Sequence, residues 1–101
     1  MPISTVIEDS GLTEVAQLFA GVYDWSETGV YFQRSSGLFF ILEDSGCSCN
    51  YYGMLVYRLS DLEQVTREGA IEALKSRGGS GYVAASADDV QREIAKVRDF
   101  R

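Results

Sequence analysis

Histidine is absent from this 101-residue chain, and cysteine occurs only twice, at Cys47 and Cys49. The first absence removes the usual base that activates a hydroxyl or thiol nucleophile near neutral pH. Any zinc site would therefore have to be built from thiolates and carboxylates. Long apolar runs are also missing. The most apolar stretch, Leu38-Phe39-Phe40-Ile41-Leu42, is far shorter than the roughly 20 residues of a membrane-spanning helix. The start, Met1-Pro2-Ile3-Ser4, carries no basic region and no long apolar block, so no leader is expected and the protein is read as cytoplasmic with reduced thiols. Internal repeats and low-complexity tracts are lacking too.

Positive charge is scarce in one half of the chain. Residues 1–57 hold seven acids (Glu8, Asp9, Glu14, Asp24, Glu27, Glu43, Asp44) and a single base, Arg34, whereas residues 58–101 hold eight of each. The whole net charge of −6 thus lies in the first half. A phosphate backbone would be repelled there, which argues against nucleic acid as partner. A basic protein surface would be attracted.

What is present is enough apolar material for a core: 46% hydrophobic and 12% aromatic residues against 24% charged. That composition and length predict one folded domain over residues 1–101. Ser10-Gly11 followed by Leu12, Val15, Ala16 and Phe19 reads as a short amphipathic helix over about 11–20, with Gly21 as its stop. Residues 29–43 read as a hairpin turning at Ser35-Ser36-Gly37, with Gly37 free to take positive φ. Its second strand is apolar on both faces and so is expected to lie centrally. Met54-Leu55-Val56-Tyr57 suggests a third strand over 53–58. Ser60-Asp61-Leu62-Glu63 has the form of a capping box, but one continuous helix would place Ile71 about 180° from Leu62. A short turn at 60–64, a break near Val65-Thr66 and a helix over 67–77 resolve that conflict. Gly78-Gly79-Ser80-Gly81 lacks the Lys-Ser/Thr of a phosphate loop and follows a helix, so it reads as a helix stop. Ser86 opens the last helix, 86–100, with Val90, Ile94 and Val97 on one stripe, and an Asp88–Arg92 pair is expected on it. The fold class is α+β: an antiparallel sheet of three or four strands with three helices.

The chemistry-bearing stretch is Glu43-Asp44-Ser45-Gly46-Cys47-Ser48-Cys49. Two thiols one residue apart can pair, bind a metal together, or pack. A tetrahedral zinc site would need Asp44 or Glu43, or a second subunit, beside Cys47 and Cys49. A disulfide between them would close a small strained ring. The bland alternative is a strand-exit turn, in which Gly46 supplies the bend, Asp44 and Ser45 accept backbone N–H groups and the cysteines pack under the sheet. Glu43 and Asp44 are sequence neighbours and face opposite ways if extended, so they form no convergent acid/base pair. The aromatic set Tyr23, Trp25, Tyr31, Phe32, Phe39, Phe40, Tyr51, Tyr52, Tyr57 is heavy for this length. It suits either a core covered on both sides or a contact surface, with Trp25, Tyr31, Tyr51, Tyr52 and Asp44 as the candidate protein-binding residues.

Trp25, an aromatic hairpin, the Asp44–Cys49 block and the Leu59-Ser60-Asp61-Leu62 turn occur in that order. In this the chain resembles a family of small proteins from actinobacterial phages and their hosts, whose members end a strand with Asp-Ser-Gly-Cys-Ser-Cys. The resemblance covers roughly residues 24–75. Where that family continues with proline and a Pro-Phe-Glu-like stretch, this chain has Asn50-Tyr51-Tyr52-Gly53. The resemblance implies a phage or prophage context, hence the cytoplasm of a bacterial host, and no mechanism. The expectation is a small non-enzymatic accessory protein that binds a host or phage protein, of host-takeover or counter-defence type, with homodimerisation compatible. No cofactor and no membrane partner are expected. The alternative is a zinc-binding or thiol-redox module on Cys47 and Cys49.

Overall fold

The computed structural model describes residues 2–21, 23–76 and 85–101. Helix α1 (Pro2–Asp9) leads into a four-stranded antiparallel sheet of β1 (Leu12–Gly21), β2 (Trp25–Gln33), β3 (Leu38–Gly46) and β4 (Glu63–Val65), in that spatial order. Helices α2 (Arg67–Lys75) and α3 (Ala87–Asp99) follow. The α+β class, the antiparallel sheet and the helices α2 and α3 agree with the sequence reading.

One face of the sheet is covered by α2 and α3. Ala16, Leu18 and Ala20 of β1, Val30 of β2, and Phe39 and Ile41 of β3 pack there against Ala70, Ile71, Leu74, Val90, Ile94 and Val97. Thr66 caps α2 by accepting from the Gly69 N–H, and Ser86 caps α3 by accepting from the Asp89 N–H. Arg67 closes the other end of α3, donating to the Val97 and Phe100 carbonyls. The second face is covered by α1 and the long segment between β3 and β4: Ile3, Val6, Val56 and Leu62 pack on Leu12, Tyr31 and Phe40. As expected for a strand apolar on both faces, β3 is interior, paired with β2 and β4. The hairpin turn closes through a bond from the Gly37 N–H to the Gln33 carbonyl, and Gly37 takes φ +72°, a conformation open to glycine at no steric cost.

The helix expected over 11–20 is instead strand β1. The cause is a β-bulge: Glu14 pairs with Tyr31 and Ala16 with Val30, so Val15 is an extra residue. The bulge resets the alternation, so that Leu12 is buried on one face and Ala16, Leu18 and Ala20 on the other. A phase-shifted strand pattern of this kind mimics helical spacing, and Phe19, placed inward by the helical reading, is 51% exposed. The true first helix is α1, with Ile3, Val6 and Ile7 at i, i+3 and i+4 along one stripe.

The strand expected at 53–58 does not form. Met54 N–H bonds to the Tyr51 carbonyl and Val56 N–H to the Gly53 carbonyl, so the backbone turns rather than joining a ladder. The third partner in the sheet is β4 instead. Its three residues follow a 3-10 turn at Leu59–Asp61, in which Asp61 Oδ2 accepts from the Tyr57 and Arg58 N–H groups. On α3 the ion pair is Arg92 with Asp89 at 2.9 Å, not with Asp88. The glycine stretch 78–81 lies outside the described residues.

Candidate functional site: an acidic groove beside a thiol bend

On the face away from α2 and α3, coverage is incomplete and an open cavity of about 430 Å³ remains. Its walls are Ile3 and Ile7 of α1, and Tyr51 and Tyr52 of the segment after β3. Its floor is a row of sheet side chains, Glu14, Gln17, Glu27 and Tyr31. The register explains this row, since Glu14 pairs with Tyr31 and Gln17 with Gly29. The bulge at Val15 is what puts Glu14 and Gln17 on one face; in an unbroken strand they would face opposite ways. Glu93 of α3 pins it from the other side, its Oε1 accepting from the Gln17 backbone N–H at 3.0 Å. Glu93 is buried and its carboxylate is held by Lys96 at 2.8 Å.

A hydrogen-bonded chain crosses the floor. Gln17 Nε2 donates to Glu27 Oε2 at 2.6 Å, the Tyr31 and Tyr52 hydroxyls are 3.0 Å apart, and the Leu42 carbonyl lies 3.1 Å from Tyr52. Each phenol has one proton. Either Tyr52 donates to Tyr31 and Tyr31 to Gln17 Oε1, or Tyr31 donates to Tyr52 and Tyr52 to the Leu42 carbonyl. The chain fits because residue 29 is glycine: a Cβ there would run into the Tyr52 and Tyr31 hydroxyls and Gln17 Oε1. Burial pushes the Tyr31 phenol up to about 12, against the pull of the Tyr52 hydrogen bond. Tyr52 is pushed up further, by burial first and then by the Tyr31 phenol. Glu27 is raised above the ordinary carboxylate value, chiefly by burial. The Gln17 amide lowers it, and the charges of Glu14 and Asp44 add to the rise. Among the described residues, neither Glu14 nor Glu27 is paired with a lysine or arginine. Arg34 is held elsewhere, over the Phe32 and Phe100 rings and bonded to the Arg101 carbonyl.

The thiol bend follows directly on β3. Its backbone is tied at Cys47, whose carbonyl accepts from Trp25 Nε1 at 2.9 Å and from the Asn50 N–H, and whose N–H donates to Asn50 Oδ1 at 2.8 Å. A second tie is the Gly53 N–H, which donates to Asp44 Oδ2. Tyr51 and Tyr52 hang between these anchors. Asp44 Oδ1 also takes the Ser45 N–H, so the Asp44 carboxylate works as a backbone clasp. The cysteines do not pack under the sheet: Cys47 is part-exposed and Cys49 exposed, both as free thiols. A hydrogen bond from the Cys49 thiol draws the Cys47 sulfur below its ordinary value, and Cys49 is raised in return. Among the described residues, no three Cys, Asp or Glu side chains gather as a metal site.

Tyr51 and Tyr52, both expected at the surface, line the groove: Tyr51 has its ring exposed, whereas Tyr52 is part-buried with its hydroxyl engaged by Tyr31 and the Leu42 carbonyl. Trp25 and Tyr31 are corrected: at 7% and 1% exposure they are core residues with internal hydrogen bonds and offer no ring to a partner. Asp44 and Glu43 sit opposite Glu27 and Thr28 on different faces and do not converge. The sequence reading missed Glu14, Gln17, Glu27 and Gly29. The available signal was Gly29, a glycine in mid-strand, which marks close approach.

The structure thus defines a small α+β protein with an open acidic groove on one sheet face. It belongs to a family described as a domain of unknown function (DUF7574), whose family model matches residues 1–100. No curated protein and no solved structure matches the chain. No helix among the described residues is long and apolar enough to cross a membrane.

Proposed function

We propose that this is a non-enzymatic binding protein that takes a basic side chain of a partner polypeptide into the groove between α1 and Tyr51-Tyr52. The observation that carries this reading is Glu27, a half-buried carboxylate on the groove floor, shielded from water and raised in pKa, with a neutral amide as its hydrogen-bond donor. A lysine or arginine entering the groove would supply the missing positive charge. Its methylene stem would lie against Ile3 and Ile7, and its head would face Glu14, Glu27 and the exposed ring of Tyr51. The acidic excess of the first half would steer such a partner toward this face. In line with the resemblance carried by the Asp44–Cys49 block, the partner is a host or phage protein, and the role is that of an accessory or inhibitory factor. A second reading, a small thiol module, draws on the adjacent sulfurs of Cys47 and Cys49.

The test is fluorescence anisotropy with a labelled peptide of alternating lysine and leucine, against a norleucine-for-lysine control. The native chain should bind the lysine peptide selectively, and more weakly as salt is added. Glu27→Gln should weaken binding by about tenfold, the loss expected when one charge of a desolvated pair is removed. Equal binding of both peptides, or no loss in Glu27→Gln, would sink the groove reading.

A further inference from the structure

Resting on the reading of the groove as a site for a basic side chain, we infer that it selects a lysine ammonium over an arginine guanidinium, and that Gln17 is the positioning residue that sets this choice. Gln17 Nε2 donates to Glu27 Oε2 at 2.6 Å, so one of the two carboxylate oxygens is already occupied from inside the protein. A carboxylate only accepts, so the amide must turn its nitrogen this way. Its oxygen is left facing the Tyr31 hydroxyl, at 3.3 Å. Among the described residues no hydrogen bond is made to Glu27 Oε1. Glu27 therefore presents a single oxygen to a guest.

Gln17 is not free to move aside. Its backbone N–H is held by Glu93 Oε1 at 3.0 Å, and Glu93 is buried and paired with Lys96 at 2.8 Å. Its side chain is engaged at both ends, by Glu27 and by Tyr31. The register places Gln17 opposite Gly29, in the row between Glu14, opposite Tyr31, and Glu27, opposite Phe19. Glycine at 29 leaves the amide its room, because a Cβ there would strike Gln17 Oε1 as well as the phenols.

The two cations differ in what they ask of a carboxylate. A guanidinium is a rigid planar fork, and its strongest contact takes both carboxylate oxygens in parallel. With Oε2 engaged, the fork finds one oxygen where it needs two. The next position in the row is Gln17 itself, whose nitrogen is a donor and whose oxygen faces Tyr31. It accepts nothing from the second arm. An ammonium is a compact point charge with three rotatable donors. It makes one short contact at Oε1 and loses nothing to the occupation of Oε2.

The experiment is fluorescence anisotropy on the full chain with labelled peptides of the same alternating design, carrying lysine, arginine or trimethyllysine beside leucine, and the norleucine peptide as baseline. The native chain should bind lysine about tenfold more tightly than arginine, the worth of one charge-assisted hydrogen bond. Trimethyllysine keeps the charge but has no N–H donor on its head, and should lose at least as much. In Gln17→Leu both oxygens of Glu27 are open to the fork, so arginine should gain and the gap should narrow to about twofold. The phenols keep a second arrangement without Gln17, Tyr31 donating to Tyr52 and Tyr52 to the Leu42 carbonyl, so the circular dichroism should match the native spectrum. A merely structural Gln17 would weaken both peptides alike, and an unchanged ratio in the folded variant would overturn its role. Arginine or trimethyllysine bound as tightly as lysine, by a native chain that still rejects norleucine, would overturn the selectivity and leave the groove standing. Binding of no peptide above the norleucine baseline would remove the groove and its selectivity together. Should Gln17→Leu fail to fold, the native-chain ratios decide.

Discussion

The two faces of the sheet are built from the same strands yet covered in different ways. Against α2 and α3 the cover is two capped helices, and side chains such as Val30, Leu74 and Val97 are fully sequestered. Against α1 and the segment after β3 the cover is one short helix and a run of turns, and a tyrosine pair, an amide and a carboxylate sit where a core would be. A sheet needs one well-packed face for stability. Once α2 and α3 provide it, the other face is free to hold polar groups and an opening.

The sharpest way to break this comparison is to truncate each side. Leu74→Ala removes a fully buried side chain from the helix-covered face and should cost about 2–5 kcal/mol in denaturant unfolding. Ile7→Ala, on the groove wall and only half-buried, should cost about 1 kcal/mol, because little further area leaves water. Equal losses would mean that both faces are structural cores. An effect between those two is expected from Gly29→Ala. The added methyl group would displace the Tyr31 and Tyr52 hydroxyls, for about 1–3 kcal/mol. Unfolding free energy unchanged by that methyl would show that the phenols are loosely held.

The smallest effect carries an inverted sign. Glu27 has a folded pKa above its ordinary value of 4.5, so the folded protein holds this proton to higher pH than the unfolded chain does. Its favourable contribution is complete below that ordinary value and is lost as pH rises through the shifted one. At neutral pH the carboxylate is therefore a burden on the fold, and Glu27→Gln should melt slightly higher than the native chain. The gap should close as the pH is brought below the ordinary carboxylate range. A variant that gains stability and loses the basic peptide would mark Glu27 as a residue kept for binding. A variant that melts lower at neutral pH would contradict the burial of its charge.

Much of the helix-covered face was legible in the sequence. Ala70, Ile71 and Leu74, and Val90, Ile94 and Val97, follow helical spacing, and Thr66 and Ser86 are side chains suited to the caps they form. The break before residue 67 followed from the phase conflict between Leu62 and Ile71. The groove face was far less legible. Its first strand carries a bulge, so Leu12, Ala16 and Phe19 imitate a helix although only the first two are buried. Its cover is a turn-rich segment whose apolar run, Met54-Leu55-Val56-Tyr57, buries only Val56 fully. Its polar floor joins Gln17, Glu27, Tyr31 and Tyr52, which are brought together by register rather than by spacing. The thiol block announced itself, but local composition did not reveal that Trp25 holds its backbone while its sulfurs stay outside.

That last contact gives the protein a built-in optical probe. Trp25 is the single tryptophan, and its indole N–H ends on the carbonyl of the first cysteine. Whatever seizes the sulfurs tugs on the one strong fluorophore in the chain. Light emitted from the interior therefore reports, without any attached dye, on events at the exposed bend.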